Sequence, residues 1–152
     1  MNIAYYPEFE QPKLVWATIT PEPRFLWDDK GFYVNDKGNI ITRVEPWLVA
    51  VLNSTLMRVY GAAKLMPERQ GGFYEWKPKP VALLPIVTPE APVCRALSLA
   101  TELSSREPGA HDAKVDDLVA SVYGITPAER RLLDEWIEIR RGAADIDEPD
   151  DE

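Results

Sequence analysis

The chain has 152 residues, a formal net charge of −8 and a hydrophobic content of 45%. These values predict one soluble globular domain with its own core. A single cysteine, Cys94, excludes an internal disulfide. The longest apolar run, Trp47 to Leu52, is too short to span a membrane, and the amino terminus lacks the basic start and apolar run of a signal peptide. We therefore expect a cytoplasmic protein.

The negative charge is concentrated at the carboxyl end. Residues 142–152 hold six carboxylates and no cation, so the remainder has a net charge of −2. Residues 58–79 instead hold five cations against two carboxylates. We predict an irregular lead-in over residues 1–12, one domain over residues 13–141 with a basic strip, and a disordered acidic tail over residues 142–152.

The first third of the chain contains short segments rich in β-branched and aromatic residues. Residues 13–20 have the composition of a strand. Residues 24–27 and 32–34 flank an Asp-Asp-Lys-Gly turn and predict a hairpin, because Gly31 can adopt a positive φ. Residues 40–42 predict a further strand, so this region should form a small antiparallel sheet.

The middle of the chain predicts a helix that begins at Pro46, continues to about residue 60 and ends near Gly61. After it, residues 73–77 predict another short strand. Lysine and proline alternate over residues 77–80, which predicts extended backbone rather than helix.

Three amphipathic helices are predicted after this region in the chain. The apolar spacing of residues 93–103 indicates the first, and that of residues 115–123 the second, with Gly124 at its left-handed end. Thr126 and Glu129 form a capping box that begins the third. Four apolar side chains of the third helix are expected to face inward: Leu132, Leu133, Trp136 and Ile137.

The predicted fold class is therefore α+β. A small, mostly antiparallel sheet, from about residues 13–43 and 73–77, packs with a central helix and a C-terminal helical region. Short motifs follow one another through these elements. They are Lys-Leu-Val-Trp from residue 13, Phe-Tyr-Val-Asn from 32, Leu-Asn-Ser from 52, Gly-Gly-Phe-Tyr from 71 and Leu-Leu-Pro from 83.

In this order the motifs resemble the TaqI-like C-terminal specificity domain, the DNA target-recognition part of many adenine-N6 methyltransferases and fused restriction-modification enzymes. The resemblance extends from about Lys13 to Trp136. It implies double-stranded DNA as a ligand and a methyltransferase or restriction catalytic subunit or domain as a partner.

DNA recognition needs cations for the phosphates and a few side chains for the base edges. The candidate DNA-binding residues are Arg24, Arg43, Lys64, Arg69, Gln70, Gly71, Gly72, Tyr74, Lys77 and Lys79. Asn53 and Ser54 are expected to brace the segment around residues 70–76. Two alternatives stay open: the Gly-Gly pair is only a turn between solvated lysines, and Trp76 is either a core or a rim residue.

No catalytic motif accompanies the resemblance. The Asn/Asp-Pro-Pro-Tyr/Phe tetrapeptide and the Gly-rich loop for a methyl donor are missing from the sequence. Pro149-Asp150 has no following lysine for a nuclease, and His111 is the only histidine. We expect no enzyme activity from this chain alone, no cofactor and no metal site. The alternative function is a regulatory module that docks on such an enzyme, with the acidic tail as a DNA mimic.

Overall fold

The computed structural model describes residues 6–144, and within this range the predicted α+β class is confirmed. Two small antiparallel sheets form the front of the molecule. The first has the order β3-β1-β4, from β1 (Lys13–Ala17), β3 (Leu26–Asp28) and β4 (Gly38–Thr42). The second has the order β2-β6-β5, from β2 (Ile19–Thr20), β5 (Glu68–Arg69) and β6 (Phe73–Glu75).

The helices of the described residues are α1 (Tyr6–Phe9), α2 (Trp47–Asn53), α3 (Thr55–Lys64), α4 (Pro78–Val81), α5 (Ala91–Ser104), α6 (Asp112–Tyr123) and α7 (Pro127–Ala144). The predicted lead-in thus contains one helical turn, α1. Helix α7 continues three residues into the segment predicted as the acidic tail, and residues 145–152 of that segment lie outside the described residues.

The single strand predicted over residues 13–20 is two strands in different sheets. Thr18, between β1 and β2, connects them through its backbone. Its N–H donates to the carbonyl of Lys37 (2.9 Å), and its carbonyl accepts from Trp76 N (2.7 Å). The chain bends at Thr18, whose N–H bonds to the chain before β4 and whose carbonyl bonds to the residue after β6.

The hairpin predicted over residues 24–34 is wrong. Strand β3 pairs with β1, with Leu14 opposite Trp27, and residues 32–34 are not in a strand. The Asp28 carboxylate accepts the N–H groups of Lys30 (2.8 Å) and Phe32 (2.9 Å). These bonds hold the chain in a loop, in which Gly31 has the expected positive φ of 78°.

The helix predicted from Pro46 to Gly61 is interrupted and then continues further. Ser54 has extended backbone and caps α3: its Oγ accepts from Met57 N (3.3 Å) and donates to Val51 O (2.6 Å). Gly61 lies inside α3 rather than at its end. A Cβ on this residue would meet Trp76 Cη2 at 2.6 Å. The glycine is needed for close packing, not for a turn.

The extended backbone predicted over residues 77–80 is found only at Lys77. Lys77 is extended, but Pro78 begins the one-turn helix α4. Proline is compatible with a first helical turn, where the missing N–H has no helical partner to lose.

The C-terminal helices agree with the prediction. Gly124 ends α6 with a φ of 66°. The capping box at the start of α7 forms, because Glu129 Oε2 accepts from Thr126 N (2.8 Å) and Thr126 Oγ1 accepts from Glu129 N (3.3 Å). Leu132 is 63% exposed, which makes its predicted inward orientation wrong. The inward arc is formed by the half-buried residues 133, 136 and 137.

The core lies between the sheets and helices α2, α3, α5 and α6. Trp16, Phe25, Met57, Trp76 and Leu97 are among its most deeply buried side chains. No helix of the described range has both the length and the hydropathy to cross a membrane.

Candidate nucleic-acid interface

A tight turn between β5 and β6 presents the paired glycines. Residues Gln70–Gly72 form a short 3-10 turn in which Gly71 and Gly72 have φ values of 77° and 72°. Side chains other than glycine rarely adopt this left-handed conformation. Gln70 and Gly71 are exposed, and the two glycines carry no side chain over the backbone of the turn.

Trp76 fixes the position of β6 behind this turn. Its backbone N–H donates to Thr18 O, and its carbonyl accepts from Trp16 Nε1 (2.6 Å). The Trp76 side chain is 1% exposed. Of the two possibilities left by the sequence, the structure shows that Trp76 is a core residue.

Glu75 holds two of the predicted DNA-binding cations side by side. Its carboxylate, 8% exposed, accepts from Arg69 Nε (2.9 Å) and forms an ion pair with Lys77 Nζ (2.8 Å). Hydrogen bonds from Lys77 and Arg69 hold the pKa of Glu75 below its ordinary value. Both cations remain more than half exposed. Since one carboxylate faces two cations, one positive charge is left uncompensated.

We call the surface formed by these residues the glycine-turn patch. It consists of Arg69, Gln70, Gly71, Gly72, Lys77 and Lys79. Lys79 is exposed on α4, directly after Lys77 and Pro78. The patch therefore contains three exposed cations, an amide side chain and two glycines in left-handed backbone.

The cationic candidates Arg24, Arg43 and Lys64 belong to other segments of the chain. Arg24 and Arg43 are exposed next to the first sheet, and Lys64 is exposed in the last turn of α3. Within residues 6–144, no hydrogen bond or ion pair connects these three cations to the patch. Tyr74 is 4% exposed, because its position in β6 directs the ring inward.

Asn53 and Ser54 act as braces, but not for residues 70–76. Asn53 Oδ1 accepts from Phe25 N (2.9 Å) and its Nδ2 donates to Phe25 O (2.7 Å), so it fixes the chain just before β3. Ser54 caps α3. The predicted target was wrong because the helix break turns Asn53 toward the first sheet.

Replacing Asn53 with alanine should destabilise the fold. Asn53→Ala leaves the N–H and carbonyl of Phe25 without partners, which costs about 1–3 kcal/mol. Urea denaturation should show the lower unfolding free energy. Asn35→Ala is the matched control: its side chain also accepts from a backbone N–H, that of Lys37 (3.1 Å), but in an exposed turn where water can replace it, so the loss should be smaller than for Asn53→Ala. Equal effects of the two substitutions would show that the Asn53 bonds do not brace β3.

A cavity of about 200 Å³ adjoins the glycine-turn patch at Gly72, which lines it together with the neighbouring Glu68. Its walls come from the β2-β6-β5 sheet, α3 and α7. Arg140 of α7 pairs with Glu68 (2.9 Å), and its guanidinium lies 5.0 Å from the ring centre of Trp136. Helix α7 thus closes the cavity from the side opposite the sheet.

Glu22 links the cavity wall to α7. It accepts from Arg141 Nε (2.7 Å) and Arg58 Nη1 (3.2 Å). The hydrogen bond from Arg141, with the nearby positive charges, lowers the pKa of Glu22. Burial raises the pKa of the Tyr74 hydroxyl above its ordinary value, so Tyr74 is protonated at neutral pH.

A family model covers the part of the chain that forms this surface. A model of the TaqI-like C-terminal specificity domain matches residues 3–86, which include both sheets, α3 and the whole glycine-turn patch. The chain is thus a specificity module of the kind used for DNA recognition in restriction-modification systems, and that domain is not the catalytic one.

More particularly, the chain belongs to the TaqI-like C-terminal specificity domain family. The match ends before α5, whereas the resemblance was expected to continue to Trp136. No curated protein matches the chain.

The sequence did not indicate the residues that organise the site. In the sequence Glu75 is only a negative charge within the basic strip, and no motif includes Arg140 or Arg141. Arg140 pairs with a residue 72 positions earlier, and no local pattern predicts a contact over that separation. The adjacent arginines before the acidic run were the one visible signal.

Proposed function

We propose that this chain is the target-recognition module of an adenine-N6 DNA methyltransferase or restriction-modification system. It contacts double-stranded DNA through the glycine-turn patch, and a separate catalytic subunit or domain performs the chemistry. The observation that carries the proposal is the pairing of Arg69 and Lys77 on one buried carboxylate.

The chemistry of the patch suits both parts of DNA recognition. Lys77 and Lys79 can neutralise phosphates, and backbone N–H groups at Gly71 and Gly72 can approach a phosphate closely. Arg69 and Gln70 carry the groups that bind guanine and adenine edges in the major groove. Glu75 fixes the position of Arg69 before DNA arrives, which lowers the entropy lost on binding.

The candidate residues outside the patch have two roles in the proposal, phosphate contact and structural support. Arg24, Arg43 and Lys64 are exposed and would widen the phosphate contact. Tyr74 is buried beneath the patch, so we assign it to supporting β6 instead of touching a base edge from the surface.

A regulatory module that docks on a methyltransferase or restriction enzyme is the second candidate. The observation in its favour is the acidic carboxyl end, with six carboxylates over residues 142–152, which could occupy a DNA-binding channel. Truncation after Ala144 distinguishes the two functions. The truncated chain should bind DNA at least as well as the full chain if it recognises DNA, and should lose binding to the partner enzyme if it is a regulator.

Selection from duplexes with a randomised centre tests the first candidate. The full chain should enrich a short motif that contains guanine or adenine. Arg69→Ala or Gln70→Ala should alter the preferred base at one or two positions, whereas Lys79→Gln should weaken binding to all sequences alike. A bound pool identical to the input, or unchanged motifs from both substitutions, would contradict the proposal.

A further inference from the structure

One arginine of α7 contacts both strands of the β5–β6 hairpin, which carries the glycine turn. Arg140 Nη1 donates to Glu68 Oε1 of β5 (2.9 Å). Its guanidinium also lies 5.9 Å from the ring centre of Tyr74 in β6. Glu68 and Tyr74 are direct partners in the antiparallel pairing, and the next pair, Arg69 with Phe73, closes the turn. Arg140 therefore connects the two strands at the base of the hairpin.

The two faces of this hairpin have different partners. Because successive side chains of a strand point to opposite faces, Glu68 and Arg69 face opposite ways, as do Tyr74 and Glu75. Arg140 contacts the face of Glu68 and Tyr74, whereas Arg69 and Glu75 pair with each other on the other face. Helix α7 thus supports the hairpin from behind and leaves the Arg69 side chain more than half exposed.

Arg140 makes a third contact within its own helix. Its guanidinium lies 5.0 Å from the ring centre of Trp136, which is one helical turn earlier and so on the same side of α7. An ion pair between exposed side chains stabilises little by itself, and a cation over an aromatic ring adds a comparable amount. Acting together, such contacts are sufficient to change the population of a loosened hairpin about 5-fold.

Close packing does not replace these contacts. The cavity of about 200 Å³ lies between α7 and the sheet, with Gly72 and Trp136 among its lining residues. Because side chains do not fill this space, polar contacts determine how firmly the hairpin rests on α7. The neighbouring Arg141 keeps the helix in place by donating to Glu22, which follows β2 (2.7 Å).

We infer that Arg140 is a positioning residue for target recognition. It holds the β5–β6 hairpin in one position, so that Arg69 and Gln70 meet the base edges with a fixed geometry. The inference rests on the proposed function and adds a residue outside residues 3–86, the part of the chain that the family model matches. Bidentate base contacts need a fixed geometry, whereas attraction to phosphates does not. A looser hairpin should therefore lose base selectivity and keep its attraction to phosphates.

Hydrogen exchange of the full chain without DNA tests whether Arg140 holds the hairpin. The N–H of Glu75 donates to Pro67 O, just before β5 (2.9 Å), and the N–H of Trp76 donates to Thr18 O, on the other side of β6 (2.7 Å). Arg140→Gln should speed exchange of the Glu75 N–H about 5-fold, because β5 separates from β6 more often. The Trp76 N–H should exchange at its original rate, since its partner is not in the hairpin.

Arg130→Gln is the matched control for this measurement. Arg130 lies on the same helix, but it pairs with Asp117 of α6 and not with the hairpin. Its removal should therefore leave exchange of the Glu75 N–H unchanged. An unchanged rate in Arg140→Gln, or an acceleration as large in Arg130→Gln, would overturn the inference.

Base selectivity tests the role of Arg140 in recognition. The readout is the ratio of affinities for two duplexes of equal length, one with the selected motif and one with a guanine or adenine of that motif replaced. Arg140→Gln should lower this ratio about 5-fold. Adding Glu68→Gln should cause no further loss, because both substitutions break the same contact.

The salt dependence of the affinity distinguishes positioning from direct contact with DNA. It should be the same in Arg140→Gln as in the unaltered chain, since a positioning residue neutralises no phosphate. A slope smaller by about one would make Arg140 a phosphate contact and would overturn the inference, as would an unchanged affinity ratio. Absence of binding to every duplex would contradict the proposed function, and exchange of the Glu75 N–H would still show whether Arg140 holds the hairpin.

Discussion

Reversing the charges of Lys64, Arg69 and Lys77 together should lower DNA affinity by about 100-fold at moderate salt and remove most of its salt dependence. Each cation that contacts a phosphate releases counterions from the duplex. Glutamates at these positions release none and repel the backbone. Fluorescence anisotropy with a labelled duplex measures the change.

Two controls separate this effect from misfolding and from total charge. Because the reversals would surround the buried carboxylate of Glu75 with negative charge, a second variant carries Glu75→Gln as well, and its helical content is checked by circular dichroism. The charge-matched control reverses Arg95, Lys114 and Arg131, which are exposed on α5, α6 and α7. Loss of affinity as large in this control would show that net charge, and not the positions of Lys64, Arg69 and Lys77, controls DNA binding.

Removing one partner of the Lys13–Asp28 ion pair should destabilise the protein by about 3–5 kcal/mol. Lys13 is 0% exposed and Asp28 7%, so either group alone would be a buried charge without compensation. Lys13 Nζ also donates to Phe9 O (2.6 Å), which attaches α1 to the first sheet. Urea denaturation of Lys13→Met and Asp28→Asn measures the loss.

The double variant Lys13→Met with Asp28→Asn is the matched control, because it removes both buried charges while the asparagine keeps an oxygen that can accept from the N–H groups of Lys30 and Phe32. It should recover much of the stability that Lys13→Met loses. A Lys13→Met variant within about 0.5 kcal/mol of the unaltered chain would contradict the importance of this pair.

The same pair predicts a pH dependence. Burial raises the pKa of Asp28. Hydrogen bonds from Lys13 and from the N–H groups of Lys30 and Phe32 together lower it by more, so the pKa lies below its ordinary value of 3.8. A lowered pKa in the folded state contributes stability above that ordinary value, and the contribution is lost as the pH falls through the folded pKa. Asp28→Asn should show a smaller loss of stability on acidification.

Local chemistry was enough to predict much of the fold. The capping box of Thr126 and Glu129, the left-handed Gly124 and the spacing of residues 115–123 each act within one or two helical turns, and the structure agrees with all of them. The same reasoning failed at Asp28 and Ser54. The Asp28 carboxylate bonds to the backbone of the following loop, where a hairpin strand was expected. The Ser54 hydroxyl caps a new helix, where one continuous helix was expected.

The candidate site was only partly predictable for a related reason. The motif Gly-Gly-Phe-Tyr indicated where the turn would lie, since two glycines favour left-handed backbone. The inward direction of Tyr74 follows from the pairing of β6 between β2 and β5, which no single segment encodes. The cavity requires α7 to reach Glu22 and Glu68, contacts between residues that are far apart in the sequence.

The equilibrium affinity of the full chain for a duplex, measured over a range of salt concentrations, tests DNA recognition most directly. If four or five of the exposed cations contact phosphates, the logarithm of the affinity should fall linearly with the logarithm of the salt concentration, with a slope of about −4 to −5. An affinity that does not change with salt, or no detectable binding to any duplex, would contradict the assignment of the glycine-turn patch to DNA.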